Sequence, residues 1–164
     1  MTVSAIVIGV GNPYRRDDGV GPAVVDRLRR RGLAGVTLAE CDGEPTRLLD
    51  LWAGADIAVV VDAVRTSSPR PGAIHRRSLL HPSLGSGTAA SSHVMDLGDS
   101  VALAAALDRL PGTLLLFAVE AADTSLGVGL SPEVEAAVSV ILEEIVELLH
   151  ERSEVPRRTD TPGS

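Results

Sequence analysis

The chain has 164 residues, of which 45% are apolar, and a formal net charge of −7, which is the composition of one globular domain long enough to bury a core. Its aromatic residues are limited to one tyrosine, one tryptophan and one phenylalanine, so it lacks the positive charge and the stacking surfaces that nucleic-acid binding needs. No apolar stretch reaches the ~18 residues of a spanning helix, and the first residues carry no basic region typical of a signal peptide. We therefore expect no nucleic-acid or membrane partner and a cytoplasmic location.

Strand and helix patterns alternate along the chain. Apolar runs predict strands over residues 3–10, 36–41, 56–62 and 113–119, and alternating polarity predicts an edge strand over 73–78. Helical spacing predicts one helix that ends at Gly32 and others over residues 46–52, 94–110 and 132–150. The resulting order, β-α-β-α-β-β-α-β-α, predicts an α/β three-layer sandwich, with a mostly parallel, twisted five-stranded sheet and helices on both faces.

We expect a single domain over residues 1–150. Residues 82–92 and 121–129 are rich in small residues, so they are predicted to be mobile loops that flank an open cleft. Residues 151–164 are polar and aperiodic, which is typical of a disordered tail.

The segment GVGNPYRRDDGVG, which starts at Gly9, follows the first predicted strand and leads into a helix. Its first two glycines fit a dinucleotide-binding fingerprint, but Tyr14 stands where the third glycine belongs. Asp17 and Asp18 stand at the helix N-terminus, where a pyrophosphate would bind. Two fixed negative charges disfavour an anion there and favour a cation. The alternative is that both aspartates only cap the helix.

Further polar residues are expected at the carboxyl ends of the strands, where open α/β sheets bind their ligands. Asp62 ends the central predicted strand, and His93 directly precedes a helix. Asp62 could instead cap a turn, and His93 could simply be exposed. If Asp18, Asp62 and His93 converge, two carboxylates and a neutral imidazole would balance a divalent first-row transition metal ion and leave coordination positions open.

The remaining reactive residue types favour structural roles. Asp42 and Glu120 also end strands, as solvated or capping groups, and Cys41, the only cysteine, favours packing in a strand over action as a thiol nucleophile with His93 as its base. The other histidines also favour structural roles: His75, His81 and His150. The chain contains no G-x-S-x-G, H-E-x-x-H or Walker motif.

The segment GVGNPYRRDDGVG resembles the N-terminal motif of the [NiFe]-hydrogenase maturation proteases. The similarity extends to VVVDAV around Asp62, to SSHVMDLGDSVALAAAL around His93 and to LLFAVEAADTSLGVGLSPEVEAAV, and so covers about residues 3–149. The resemblance implies a cytoplasmic α/β endopeptidase that removes a C-terminal extension from the hydrogenase large-subunit precursor after nickel insertion. The metal-binding residues of the family fall on Asp18, Asp62 and His93.

Two departures from the family pattern stand out. The ligand in the first loop is glutamate in some members, whereas Asp18 is one methylene shorter. The turn after the second strand, often D-G-G-T, is CDGEPT in this chain, so Glu44 and Pro45 change that side of the cleft. Both differences bear on the choice of partner more than on activity.

The leading hypothesis is that Asp18, Asp62 and His93 contact nickel presented by the precursor, and polarise the scissile carbonyl or activate a water. Zinc or cadmium are other divalent ions suited to the same ligands. Asp17 would orient Asp18 or act as a base. We expect a monomer whose partner is the precursor.

Three other functions remain open at this point. The chain could be a nickel-binding checkpoint or chaperone that does not cleave. It could be a small-molecule metallohydrolase, against which the small-residue loops argue, or a nucleotide-binding module, against which the paired acids argue.

Overall fold

The computed structural model describes residues 3–80 and 92–154, and of residues 92–96 and 154 it describes the backbone only. Within these ranges the strands are β1 Ala5–Val10, β2 Val36–Cys41, β3 Ile57–Val64, β4 Ile74–Ser78 and β5 Thr113–Glu120. The helices are α1 Val20–Arg31, α2 Pro45–Trp52, α3 Ser92–Ala106 and α4 Pro132–Glu154, with a 3₁₀ turn at Arg16–Gly19 just before α1. No helix in the described ranges combines the length and the apolar character that a membrane span requires.

The strands form one sheet in the order β2-β1-β3-β5-β4. All neighbours are parallel except β4, which lies antiparallel to β5 at one edge. Helices cover both faces, so the predicted α/β three-layer sandwich is confirmed. β1 and β3 are buried along their whole length, as expected for strands with helices above and below.

Each face of the sheet has its own core. Alternate residues of β3 pack on opposite faces: Ile57, Val59 and Val61 join the core under α1 and α4, whereas Ala58 and Val60 join the core under α2 and α3. Since side chains alternate along a strand, Asp62 belongs to the α2/α3 face.

Several element ends differ from the prediction. β3 continues to Val64, so Asp62 lies inside the strand and not at its end. α3 starts at Ser92, so His93 lies in its first turn and not before it. α4 continues to Glu154, so residues 151–154 of the predicted tail are helical. The periodic pattern fixes the middle of an element better than its ends, because capping and fraying decide the last turn.

Two sequence-based expectations lie outside the described residues. These are the segment 81–91, which holds the predicted loop and His81, and the rest of the tail, 155–164. The single domain over residues 1–150 stays a prediction.

The glycines of the first loop allow close contact between α1 and the sheet. A Cβ on Gly21 would lie 2.4 Å from the carbonyl oxygen of Val61 and 2.6 Å from the nitrogen of Val10. A Cβ on Gly9 would lie 2.4 Å from the carbonyl oxygen of Gly21. The N-terminus of α1 therefore rests directly on the backbones of β1 and β3, a distance that only glycine permits.

This contact predicts the effect of adding one methyl group. Gly21→Ala should lower the free energy of unfolding by about 3 kcal/mol, because rigid backbone surrounds the new Cβ. In a domain of this size, that loss lowers Tm by roughly 6–12 °C. Gly98→Ala in α3 is the matched control, since nothing lies within 4 Å of its Cβ, and it should stabilise the helix slightly. Equal Tm values for the two variants would contradict the packing described.

Candidate active site

The two acids of the first loop lie together in the 3₁₀ turn but have different environments. The turn precedes α1 at the carboxyl edge of the sheet. Asp17 is fully buried, whereas Asp18 is partly exposed. The loop therefore presents one of its two adjacent acids towards solvent and encloses the other.

Asp17 receives four hydrogen bonds from the segment that joins β5 to α4. Its Oδ1 accepts from the amide of Ser131 at 2.7 Å. Its Oδ2 accepts from the amides of Ala122 at 2.8 Å and Asp123 at 3.0 Å, and from the hydroxyl of Ser131 at 2.9 Å. A carboxylate offers about four acceptor positions, and here four donors use them. This geometry favours a positioning role for Asp17 over that of a base.

Asp18 is oriented by its own loop. Its Oδ2 accepts from the amide of Asn12 at 2.8 Å, and its amide donates to the carbonyl of Arg15. The carboxylate is therefore held in one direction before any ligand arrives, which lowers the entropic cost of binding a cation.

Asp62 is 2% exposed and lies on the α2/α3 face, in register with Ala118 of β5. It lies close enough to Cys41 to affect its ionisation. Burial chiefly raises the pKa of the Cys41 thiol, and the negative charges of Asp42 and Asp62 raise it further. A thiol with a raised pKa is a poor nucleophile at neutral pH, which favours packing as the role of Cys41.

The backbone of His93 lies in the first turn of α3, and its side chain is outside the described part. α3 leads into β5, which starts at the amino edge of the sheet, so we expect a helix of this length packed along the strands to start at the carboxyl edge. α3 covers the face to which Asp62 belongs, because Leu97 and Ala104 join that core.

Among the described side chains, no group of three histidine, cysteine, aspartate or glutamate residues could hold a metal ion. The side chain of His93 is not among them. Convergence of Asp18, Asp62 and His93 stays a prediction, as do the catalytic roles of these residues and of Asp17.

Glu120 was expected to be solvated or to cap a turn, and the solvated alternative is wrong. It is buried, and its Oε1 accepts from the hydroxyl of Thr66 at 3.0 Å and the amide of Arg70 at 3.1 Å, while its Oε2 lies 3.0 Å from His75 Nε2. Burial alone would raise the pKa of Glu120, but the hydrogen bonds from Arg70, His75 and Thr66 outweigh it and hold the pKa below its usual range.

The alternation of residues along β5 could have predicted that Glu120 is buried. Alternate residues of β5, Leu114, Leu116 and Ala118, all belong to the α2/α3 core, and Glu120 is the next position on that side. It therefore lies on the same face as Asp62, one strand away.

The segment CDGEPT, which differs from the family pattern, leads into helix α2. Glu44 is the N-cap residue: its carboxylate accepts from the amides of Thr46 and Arg47, each at 3.1 Å. Hydrogen bonds from Thr46 lower the pKa of this exposed carboxyl. Pro45 follows at the first helical position, where its missing N–H leaves no bond unmade. Asp42 is exposed and accepts from the amide of Glu44 at 3.1 Å, which agrees with its expected role as a solvated or capping group.

Comparison with known proteins agrees with the fold and with the family resemblance of the sequence. The family model described as hydrogenase maturation protease matches residues 22–148. The hydrogenase expression/formation protein HupD of Thiocapsa roseopersicina is 30% identical over 159 residues, covering 94% of this chain and 72% of that protein. The hydrogenase 2 maturation protease of Escherichia coli K12 is 28% identical over 149 residues, covering 89% and 90% of the two chains.

Solved structures share the fold. The hydrogenase maturating endopeptidase HybD from E. coli superposes with a TM-score of 0.73 at 23% identity over 92% of this chain and 93% of that one. The [NiFe] hydrogenase maturation protease HybD from Thermococcus kodakarensis gives 0.71 at 26% identity over 91% and 99%. The chain belongs to the hydrogenase maturation protease family.

The contacts of Asp17 predict a strong effect of a minimal substitution. Asp17→Asn should lower the free energy of unfolding by about 3 kcal/mol, because an amide nitrogen would face buried N–H donors and leave them without acceptors. Asp42→Asn is the matched control: this exposed residue accepts one hydrogen bond and should change stability by less than about 0.5 kcal/mol. Urea unfolding measures both. Equal values would contradict the structural role assigned to Asp17.

The lowered pKa of Glu120 predicts a pH-dependent contribution to stability. The folded pKa lies below the unfolded one, so the charged carboxylate stabilises the protein above about pH 4.3, and this contribution is lost as the pH falls through the folded pKa. Glu120→Gln should therefore cost about 1–2 kcal/mol at neutral pH, and the difference from the wild type should shrink as the pH falls below about 4.3.

Urea unfolding across that pH range measures the effect. Glu40→Gln, an exposed glutamate of β2, is the matched control for loss of a carboxylate. A difference for Glu120→Gln that stays constant or widens towards acid would contradict the sign given for this pKa.

Proposed function

We propose that this chain is a cytoplasmic endopeptidase that removes the C-terminal extension from the large-subunit precursor of a [NiFe] hydrogenase after nickel insertion. Membership in the maturation protease family supports a hydrogenase precursor as the substrate. The observation that carries the site assignment is a nearly fully buried carboxylate, Asp62, which lies in the central strand two residues before its carboxyl end, near the edge where such sheets bind ligands.

Recognition of nickel would depend on Asp18, Asp62 and His93. The metal is part of the substrate, held by the precursor, and cleavage becomes conditional on its presence. Attraction between Asp62 and a cation is strengthened by burial, because the low local dielectric screens it less. Asp18 is already oriented by the amide of Asn12, so little freedom is lost when it meets the metal.

The same edge offers a place for the scissile peptide bond. Groups that hold nickel beside this bond can polarise its carbonyl or lower the pKa of an attacking water. Asp17 contributes by holding the first loop to the β5–α4 segment through its four hydrogen bonds. A one-ångström displacement of a catalytic group can cost about a hundredfold in rate, so this positioning matters for the chemistry.

Metal-conditional cleavage can be tested by mass. The purified chain is incubated with nickel-loaded and with nickel-free large-subunit precursor, and the mass of the precursor is measured. We expect loss of a C-terminal peptide from the loaded form only. Cleavage of both forms would contradict nickel recognition. Complex formation without any mass change would favour the non-catalytic checkpoint.

Variants in the same assay test the residues. Asp18→Ala and His93→Ala should abolish processing, because each removes a proposed nickel ligand. Their Tm should stay unchanged, because Asp18 is partly exposed and His93 lies in the first turn of a helix. Asp26→Ala is the matched control, since this aspartate of α1 forms an i,i+4 ion pair with Arg30 away from the site. This variant should process the precursor at the wild-type rate. Full activity of both ligand variants would overturn the assignment.

A further inference from the structure

The most exposed large apolar side chains in the described part lie close to the candidate site. They are Leu126, Val128 and Tyr14, with exposed fractions of 73%, 76% and 68%, and the next, Leu107 just after α3, reaches 53%. All three belong to loops at the carboxyl edge of the sheet: Tyr14 follows β1, and the other two follow β5. We refer to these three residues as the apolar ledge.

One backbone junction joins the two loops of the apolar ledge. The amide of Gly127 donates to the carbonyl of Tyr14 at 2.9 Å, and the amide of Arg16 donates to the carbonyl of Gly127 at 3.0 Å. Leu126 and Val128 flank Gly127 in sequence. The three side chains of the ledge therefore come from a single short parallel bridge, between Arg15 and Gly127.

The junction is held in a defined conformation. Gly127 has a φ of +147°, and a Cβ there would lie 2.8 Å from the guanidinium carbon of Arg16, so that guanidinium lies directly against the glycine. Beneath it, Asp17 binds the amides of Ala122 and Asp123. An apolar surface that is ordered before binding loses little entropy when a partner arrives.

The apolar ledge is continuous with the candidate site. Arg16, which forms half of the junction, and Asp18, a predicted metal ligand, belong to the same 3₁₀ turn. A molecule seated on the ledge would therefore lie next to the turn that carries Asp18.

We infer that the apolar ledge is the docking surface for an extended, apolar segment of the hydrogenase precursor next to its scissile bond, an inference that rests on the proposed function. Exposed apolar side chains clustered at one place mark interaction sites. Arg16 and Asp123 pair at 3.6 Å beside the ledge and offset each other's charge, so the surface favours an apolar segment over a charged one.

The size of the ledge favours a peptide over a second copy of this chain. Three side chains cover far less than the roughly 800 Å² per partner that a stable dimer buries. A short segment of a substrate that must leave after cleavage needs only such a small contact.

Paired serine substitutions test the ledge. In the double variant Leu126→Ser/Val128→Ser, the KM for nickel-loaded precursor should rise at least about tenfold, since apolar burial on binding is lost. The kcat should stay within about twofold, because the groups at the reacting bond are unchanged. The matched control is Leu103→Ser/Val140→Ser, which changes the same residue types at exposed positions of α3 and α4 and should leave both constants unchanged.

The outcomes separate this inference from the proposed function. If the wild type processes the precursor and the ledge variant keeps the wild-type KM, the ledge is not a docking surface and the proposed function stands. If the wild type leaves loaded precursor intact, the proposed function itself fails. If sedimentation shows a wild-type dimer that the ledge variant dissociates, the ledge serves self-association and the inference is overturned.

Discussion

The buried carboxylate of Asp17 is the interaction on which the candidate site depends. A charge removed from water costs several kcal/mol unless hydrogen bonds replace its hydration, and four donors from a distant segment provide that replacement. The backbones of the first loop and of the β5–α4 segment form no regular ladder; they share one isolated bridge and a hydrogen bond from the amide of Asp17 to the carbonyl of Asp123. The position of Asp18 and the shape of the surface around it therefore depend on the buried carboxylate of Asp17, which hydrogen bonds stabilise and not an ion pair.

The first loop has the outline of a nucleotide-binding turn but uses its residues differently. Gly9 and Gly21 bring the backbone of α1 onto β1 and β3, so their small size serves packing between helix and sheet. Asp17 and Asp18 then occupy the place that a phosphate would need. Similar glycine spacing can thus occur with acids in place of a phosphate, and the acids, not the glycines, argue against an anionic ligand.

The sequence predicted the sheet, its layers and the edge strand, because local periodicity decides which residues face a core. The same periodicity predicts the face on which Asp62 lies. It also predicts the position of Glu120, which alternates along β5 with Leu116 and Ala118 and so shares their face. The partners of Asp17 could not be predicted, since they lie 105 to 114 residues away and no local pattern encodes them. The start of α3 was misplaced because a helix end depends on capping contacts.

That separation along the chain also bears on the order of folding. Closing a loop of this length costs entropy before any contact compensates for it, so the contact between Asp17 and Ser131 is expected to form after the sheet and the first turn of α4 exist. During synthesis, the first loop emerges long before the β5–α4 segment that binds Asp17. A chain that lacks its last quarter would have all five strands, β1 to β5, but neither Ser131 nor helix α4. The carboxyl edge of the sheet would then be incompletely held, so this protein could engage another one only after its last segment has folded.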